Sequence, residues 1–200
     1  TYLTGASTAV RSVDGDIAVH GTGGGSGASA QNYGLLLSGG ASVESTGTGT
    51  DAATVALTGT GGTSGTGGSN YGIYLTGANS EVSSVVGDVT VHGTGGSSGS
   101  SNYGIVMTNG GTVESTGTGT DAATLALNGT GGNSGSNNHG FFLRDAASGI
   151  NSVDGAVALT GIGQGASGNG IHFSGSFAVE TTGSAPITVT GTGAGTSADL

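Results

Sequence analysis

The chain has 200 residues, of which 47 are glycine, one is proline and none is cysteine or tryptophan, and twelve acidic side chains stand against two basic ones for a formal charge of -10. Without cysteine there is no disulfide framework, thiolate metal site or cysteine nucleophile, and two cations cannot supply the Lys/Arg clusters that nucleic acids and anionic membranes require. The glycines do not recur at every third position, as collagen demands, and 33% hydrophobic residues in regular spacing depart from the composition of a disordered chain.

Taken in chain order, the sequence divides into six units with approximate bounds 1–32, 33–70, 71–102, 103–138, 139–168 and 169–200. The junctions are marked by Tyr33-Gly34, Tyr71-Gly72, Tyr103-Gly104, His139-Gly140 and Asn169-Gly170, spaced 38, 32, 36 and 30 residues apart. The first unit opens with Tyr2-Leu3-Thr4, continues through Val10 and then Ile17-Ala18-Val19, and closes in a glycine-serine string. Every later unit repeats this order, as in GIYLTG from Gly72, EVSSV from Glu81 and DVTVHG from Asp88. Apolar residues alternate with polar ones in these segments, the period of two of a pleated strand. The connecting strings are built from turn and loop formers, so no helix is expected.

Longer similarity is also present. VESTGTGTDAAT at Val43 to Thr54 recurs unchanged at Val113 to Thr124, and VHGTGG at Val19 recurs at Val91, offsets of 70 and 72 residues. The second and third segments lie seven residues apart from Val10 to Ile17, Val82 to Val89 and Ile150 to Val157, but twelve apart from Val43 to Val55 and Val113 to Leu125. A protrusion on every second unit is therefore expected.

One unit holds too few inward apolar side chains to offset the entropy of ordering thirty or more residues. Stacked units can do so. The expected fold is all-β, a parallel β-helix (β-solenoid) of about six coils, each of three short strands and 30–38 residues, forming one solenoid segment over 1–200. Inward columns are expected to run through Ile17, Val55, Val89, Leu125, Val157 and Ile187, and through Leu35, Ile73, Ile105, Phe141 and Ile171. A third, Val10, Val43, Val82, Val113, Ile150 and Val179, is followed two residues later by Ser12, Ser45, Ser84, Ser115, Ser152 and Thr181, as at a tight corner. Asn32, Asn70, Asn102 and Asn138 form a candidate ladder of side-chain amides. The glycines after the unit markers are expected to adopt a backbone conformation that other residues avoid.

The GIYLTGA, VESTG and VHGTGG or VALTGTGG elements resemble those of the large secreted β-strand-repeat proteins of Gram-negative bacteria, related to filamentous-haemagglutinin-type adhesins and autotransporter passengers. The resemblance covers essentially the whole chain. It implies a right-handed coil, an extracellular or cell-surface location, and a role in adhesion, aggregation or matrix formation.

Chemistry-bearing motifs are sparse. Glycine-rich strings such as GTGGGSG from Gly21 are not followed by Lys-Ser or Lys-Thr, which a phosphate-cradling loop needs. The loops lack the GGxGxD context of calcium-binding nonapeptides. His20, His92, His139 and His172 are read as surface substitutions. Glu44, Glu114 and Glu180 share an outward column, the first two about 10 Å apart across two coils, near the limit for an inverting glycosidase. The sequon Asn128-Gly129-Thr130 is read as coincidental. One outward column, Tyr2, Leu36, Tyr74, Val106, Phe142 and His172, breaks the polar-outside rule and is the candidate interaction stripe.

The sequence thus points to an extracellular structural or adhesive repeat segment, not an enzyme. No cofactor, nucleic acid or membrane insertion is expected. Its partners are expected to be further coils of the same chain, neighbouring solenoids and a surface glycan. The alternative is a carbohydrate-binding or carbohydrate-cleaving β-helix. An ice-binding face is disfavoured because the outward column Thr4, Ser38, Thr76, Thr108, Arg144 and Ser174 breaks at Arg144. The start at Thr1, in mid-strand, reads as a window on a longer repeat protein.

Overall fold

The computed structural model describes residues 1–26 and 28–195, so the last residues of the expected sixth coil, 196–200, lie outside it. Among the described residues there are eighteen strands and no α-helix. The first coil holds β1 (Tyr2–Thr4), β2 (Ala9–Ser12) and β3 (Ile17–Thr22), and the second β4 (Leu35–Ser38), β5 (Ser42–Ser45) and β6 (Val55–Thr60). The third holds β7 (Ile73–Thr76), β8 (Glu81–Ser84) and β9 (Val89–Thr94), and the fourth β10 (Ile105–Thr108), β11 (Thr112–Ser115) and β12 (Leu125–Thr130). The fifth holds β13 (Phe141–Arg144), β14 (Gly149–Ser152) and β15 (Val157–Ile162), and the sixth β16 (Ile171–Ser174), β17 (Ala178–Thr181) and β18 (Ile187–Thr192).

Each strand pairs in parallel with its counterpart one coil away, giving three six-stranded sheets that form a β-solenoid. The register joins like with like: Leu35 to Ile73 to Ile105 to Phe141 in the first sheet, Val43 to Val82 to Val113 to Ile150 in the second, Val55 to Val89 to Leu125 to Val157 in the third. A second inward row, including Leu37, Leu75, Met107 and Leu143, completes a continuous apolar core. The expected columns are those of the structure because period-two burial permits only one register per strand.

Where the third sheet ends and the next coil begins, two glycine columns face each other. A Cβ on Gly104 would stand 2.3 Å from the Thr130 amide nitrogen and 2.5 Å from the Gly140 oxygen, and one on Gly93 would stand 2.2 Å from the Gly104 oxygen. None of Gly34, Gly72, Gly104, Gly140 or Gly170 has positive φ. The expectation of an unusual backbone conformation at these glycines is thus corrected: close approach of two backbones excludes a side chain there.

Positive φ recurs instead at the corner between first and second sheets, at Gly5, Gly39, Gly77, Asn109, Asp145 and Gly175, with values from 55° to 100°, and again just before the asparagine column, at Gln31, Ser69, Ser101 and Asn137, with values from 56° to 59°. Asparagine and aspartate tolerate this left-handed conformation better than other non-glycine residues. The corner is four residues long at 5–8, 77–80 and 145–148, and three residues long at 39–41, 109–111 and 175–177. The next corner alternates in antiphase through five coils: residues 13–16, 85–88 and 153–156 make tight turns, whereas 46–54 and 116–124 make the longer excursions expected from sequence. The sixth coil departs from the expected alternation, its connection at 182–186 lacking the longer excursion.

Neighbouring coils are braced at both corners by this alternation. The Asp16 carboxylate accepts from the Thr54 amide at 2.9 Å and the Thr54 hydroxyl at 2.8 Å, and Asp88 accepts from the Thr124 amide at 2.9 Å. At the other corner, the buried hydroxyls of Ser80 and Ser148 accept from the amides of Gly40 and Gly110, both at 3.0 Å. Each long-excursion coil is therefore held from one side by an aspartate and from the other by a serine.

Candidate functional site

The face formed by the first sheet and the segments entering it carries both candidate sets. Asn70, Asn102 and Asn138 are fully buried. Asn32 Nδ2 donates to Asn70 Oδ1 at 2.9 Å, and Asn70 Nδ2 donates to Asn102 Oδ1 at 3.2 Å. Each Oδ1 also accepts a backbone amide, Asn32 to Asn70 at 3.0 Å, Asn70 to Asn102 at 2.9 Å and Asn102 to Asn138 at 2.8 Å, so the last step of the column is carried by the backbone amide alone. The remaining Nδ2 bonds go to loop carbonyls, including Asn102 to Ser98 at 2.8 Å and Gly99 at 3.1 Å. Asparagine fits because the amide offers donors and an acceptor without charge, so identical copies can stack.

The stripe lies in register from Tyr2 to Leu36, Tyr74, Val106, Phe142 and His172. It is not bare. Tyr33, Tyr71 and Tyr103, which precede the first strand of each coil, form a stacked ladder with ring centroids 5.1 and 5.2 Å apart, and His139 continues it at 5.0 Å. Tyr74 sets its edge against Tyr33 at 5.1 Å and Tyr71 at 5.4 Å, and Phe142 packs on Tyr103 at 5.3 Å. Val106, between Tyr74 and Phe142 in the column, is buried, whereas Tyr2 stays 61% exposed. Arg144 lies 5.6 Å over the Phe142 ring and within 3.3 Å of the Asp145 carboxylate.

In sequence the tyrosines served only as unit markers; their constant place next to the asparagine column was the signal that they stack. Burial, with the neighbouring tyrosines, pushes the Tyr33 hydroxyl up to about 12, and burial raises Tyr71 as well. The ladder's ring faces are largely covered by one another, leaving mainly edges and hydroxyls to outside contact.

The expectation that all four histidines are surface substitutions is corrected for one of them. His139 is buried, stacked on Tyr103, accepts the Asn169 amide on Nδ1 at 2.9 Å, and places Nε2 3.1 Å from His172 Nδ1. Burial, with His172 beside it, pushes His139 down to about 4. The physical reason is position: His139 continues a stacked row whose tyrosines are themselves half-buried. His20 and His92 are exposed and separated in register by Thr58.

In the second sheet, Arg11 Nε and Nη2 form a fork on the Glu44 carboxylate at 2.8 and 3.1 Å, and the Glu44 carboxyl is held below its ordinary range chiefly by that bond. Asn151 Nδ2 donates to Glu114 at 3.2 Å, and Glu180 is exposed. The register puts Ser83 between Glu44 and Glu114, so the two carboxylates do not converge. Asn128, of the sequon, is half-buried on β12 between His92 and Thr160. No group of three or more His, Cys, Asp or Glu side chains that could hold a metal ion occurs among the described residues.

Compared with protein-family models, with curated proteins and with solved structures, the chain matches none of them.

Proposed function

We propose that this solenoid is a structural or adhesive repeat segment of an extracellular or cell-surface protein of a Gram-negative-type bacterium, an adhesin stalk, filament or sheath component that acts through stiffness and repeated surface columns. The observation that carries the reading is the constancy of the columns: strand after strand pairs in the same register through three parallel sheets. A rod whose units are near-copies spreads load and contact along its length, as solenoid repeats do. Further coils of the same chain and neighbouring solenoids are its partners in this reading. The pairing of Glu44 with Arg11 and the self-stacking of the tyrosines speak against the glycan-cleaving alternative and against glycan stacking on the ladder.

Electron microscopy of the native protein tests the reading. Thin rods, single or laterally packed, support it; compact particles with no axial extension overturn it. In the lateral form the exposed edges of the stripe are the contact. Tyr74→Ser with Phe142→Ser should then abolish concentration-dependent association in sedimentation, and unchanged association would remove the lateral contact from the proposal.

A further inference from the structure

Among the described residues, His139 is the rung of the aromatic ladder that is an imidazole and not a phenol, and His172 lies against it. Their protonation state follows from the backbone. The Asn169 amide donates to His139 Nδ1, so that nitrogen presents a lone pair and the ring proton sits on Nε2. Nε2–H then donates to His172 Nδ1, 3.1 Å away, and His172 carries its proton on Nε2. The chain Asn169 N–H to His139 to His172 is fully directed and uses both rings in the neutral form.

A metal ion between the rings does not fit this arrangement. To ligate through Nε2, His139 would have to move its proton to Nδ1, against the Asn169 N–H. The imidazolium form meets the same obstacle, since two N–H groups would face each other. The groups packed around the ring offer no compensation: Tyr103 stacks from the fourth coil, Phe142 lies beside it on β13, and the sixth coil presents His172. The nearby charges are Arg144, directed over Phe142, and Asp145, already against Arg144. Asn137, Ser167 and Asn169 are the polar side chains that line the adjoining cleft.

The pair bridges two coils, since His139 leads into β13 and both Asn169 and His172 belong to the coil of β16. We propose that His139 and His172 form a pH-sensitive latch that holds the sixth coil to the fifth at neutral pH and releases it in mild acid. The latch differs from every other rung, where tyrosine gives the same stacking without a proton equilibrium in this range. The low value of His139 in the closed coil fixes the sign: closure is at full strength above the ordinary histidine value of about 6.5 and weakens as pH falls from there toward about 4.

Amide hydrogen exchange on the whole chain reads the latch directly. The Gly140 and Phe141 amides donate across the latch to Asn169 and Gly170, whereas the Gly72 and Ile73 amides make the same bonds between the third and fourth coils. The protection factors of Gly140 and Phe141 should fall by up to about tenfold per pH unit between roughly pH 6.5 and 4, the slope for one proton, while those of Gly72 and Ile73 stay level. In His139→Tyr, which installs the rung found in the three preceding coils, the fall should disappear. Level protection in the wild type, or the same fall in His139→Tyr, overturns the proposal. Imidazole nitrogen resonances give a check that needs no variant: His139 should show a bare Nδ1 and a protonated Nε2 at neutral pH, and the opposite tautomer, or titration near 6.5, also overturns it.

Discussion

At the residue scale, the solenoid distinguishes positions that look alike in sequence. Asn102 accepts both the amide and the side chain of Asn70 and donates to two loop carbonyls. Asn102→Ala would strand buried donors, each costing about 1–3 kcal/mol, so a loss of about 2–4 kcal/mol and a Tm lower by roughly 5–15 °C is expected by calorimetry. Among the corner serines the hydroxyls divide. Ser84 Oγ donates to the Gly87 carbonyl, whereas Ser115 Oγ is buried with no protein partner. Ser84→Ala should cost about 1 kcal/mol and Ser115→Ala nothing, or raise Tm slightly. The tyrosines set an alkaline limit. Because Tyr33 is raised to about 12 in the fold, its contribution is complete below the ordinary phenol value of about 10 and is lost as pH climbs through 12, so alkaline unfolding should begin in that window when followed by circular dichroism. The carboxylates behave oppositely. Asp16 is lowered chiefly by the Thr54 amide, and its contribution is present above about pH 4 and lost as pH falls further, a step that Asp16→Asn should remove from the acid melting profile.

At the scale of the element, strands and columns were legible from sequence because a half-buried strand writes its orientation into every second residue. Val43, Val82 and Val113 stand in one column for that reason alone. The asparagine column was legible as a pattern, since one residue type returned at one place. The packing of Tyr74 and Phe142 on the tyrosine row was not, because it depends on how the chain folds back before each strand, and glycine-serine connectors leave no periodic trace of that path. The glycine seam was seen but misattributed: composition does not distinguish a glycine needed for positive φ from one needed because another backbone passes within about 2–3 Å. Alternation at the first corner leaves little trace in the sequence, since three and four residues differ by a single insertion. That alternation has a consequence for editing the chain. Deleting residues 33–102 removes two coils and sets Asp16 opposite Thr124, the relation Asp88 already has with Thr124. Deleting 33–70 alone sets Asp16 opposite Asp88, like charges in one column. The two-coil deletion should melt cooperatively as a shorter solenoid, and the one-coil deletion should melt at lower temperature or not fold.

At the scale of the whole molecule, the scarcity of charge and abundance of glycine become one property. A column repeats its residue about every 4.8 Å, so any charge would be multiplied along the axis. The outward columns of the second sheet accordingly interrupt their glutamates with Arg11, Ser83 and Asn151. Paired strands of neighbouring coils join residues 29–39 positions apart, so folding should spread from a nucleus of stacked coils and not from a single coil. The aromatic face gives the molecule one further property, an optical one. All five tyrosines, Tyr2, Tyr33, Tyr71, Tyr74 and Tyr103, belong to the ladder or the stripe, and the chain has no tryptophan. Three of those rings lie face to face about 5 Å apart, close enough for their electronic transitions to couple. Near-ultraviolet circular dichroism of this protein should therefore show a split tyrosine band that reports on coil stacking itself. Tyr71→Leu, which removes both face-to-face contacts of the row, should collapse that splitting to the weaker signal of the remaining Tyr33–Tyr74 edge contact, while the far-ultraviolet strand spectrum persists.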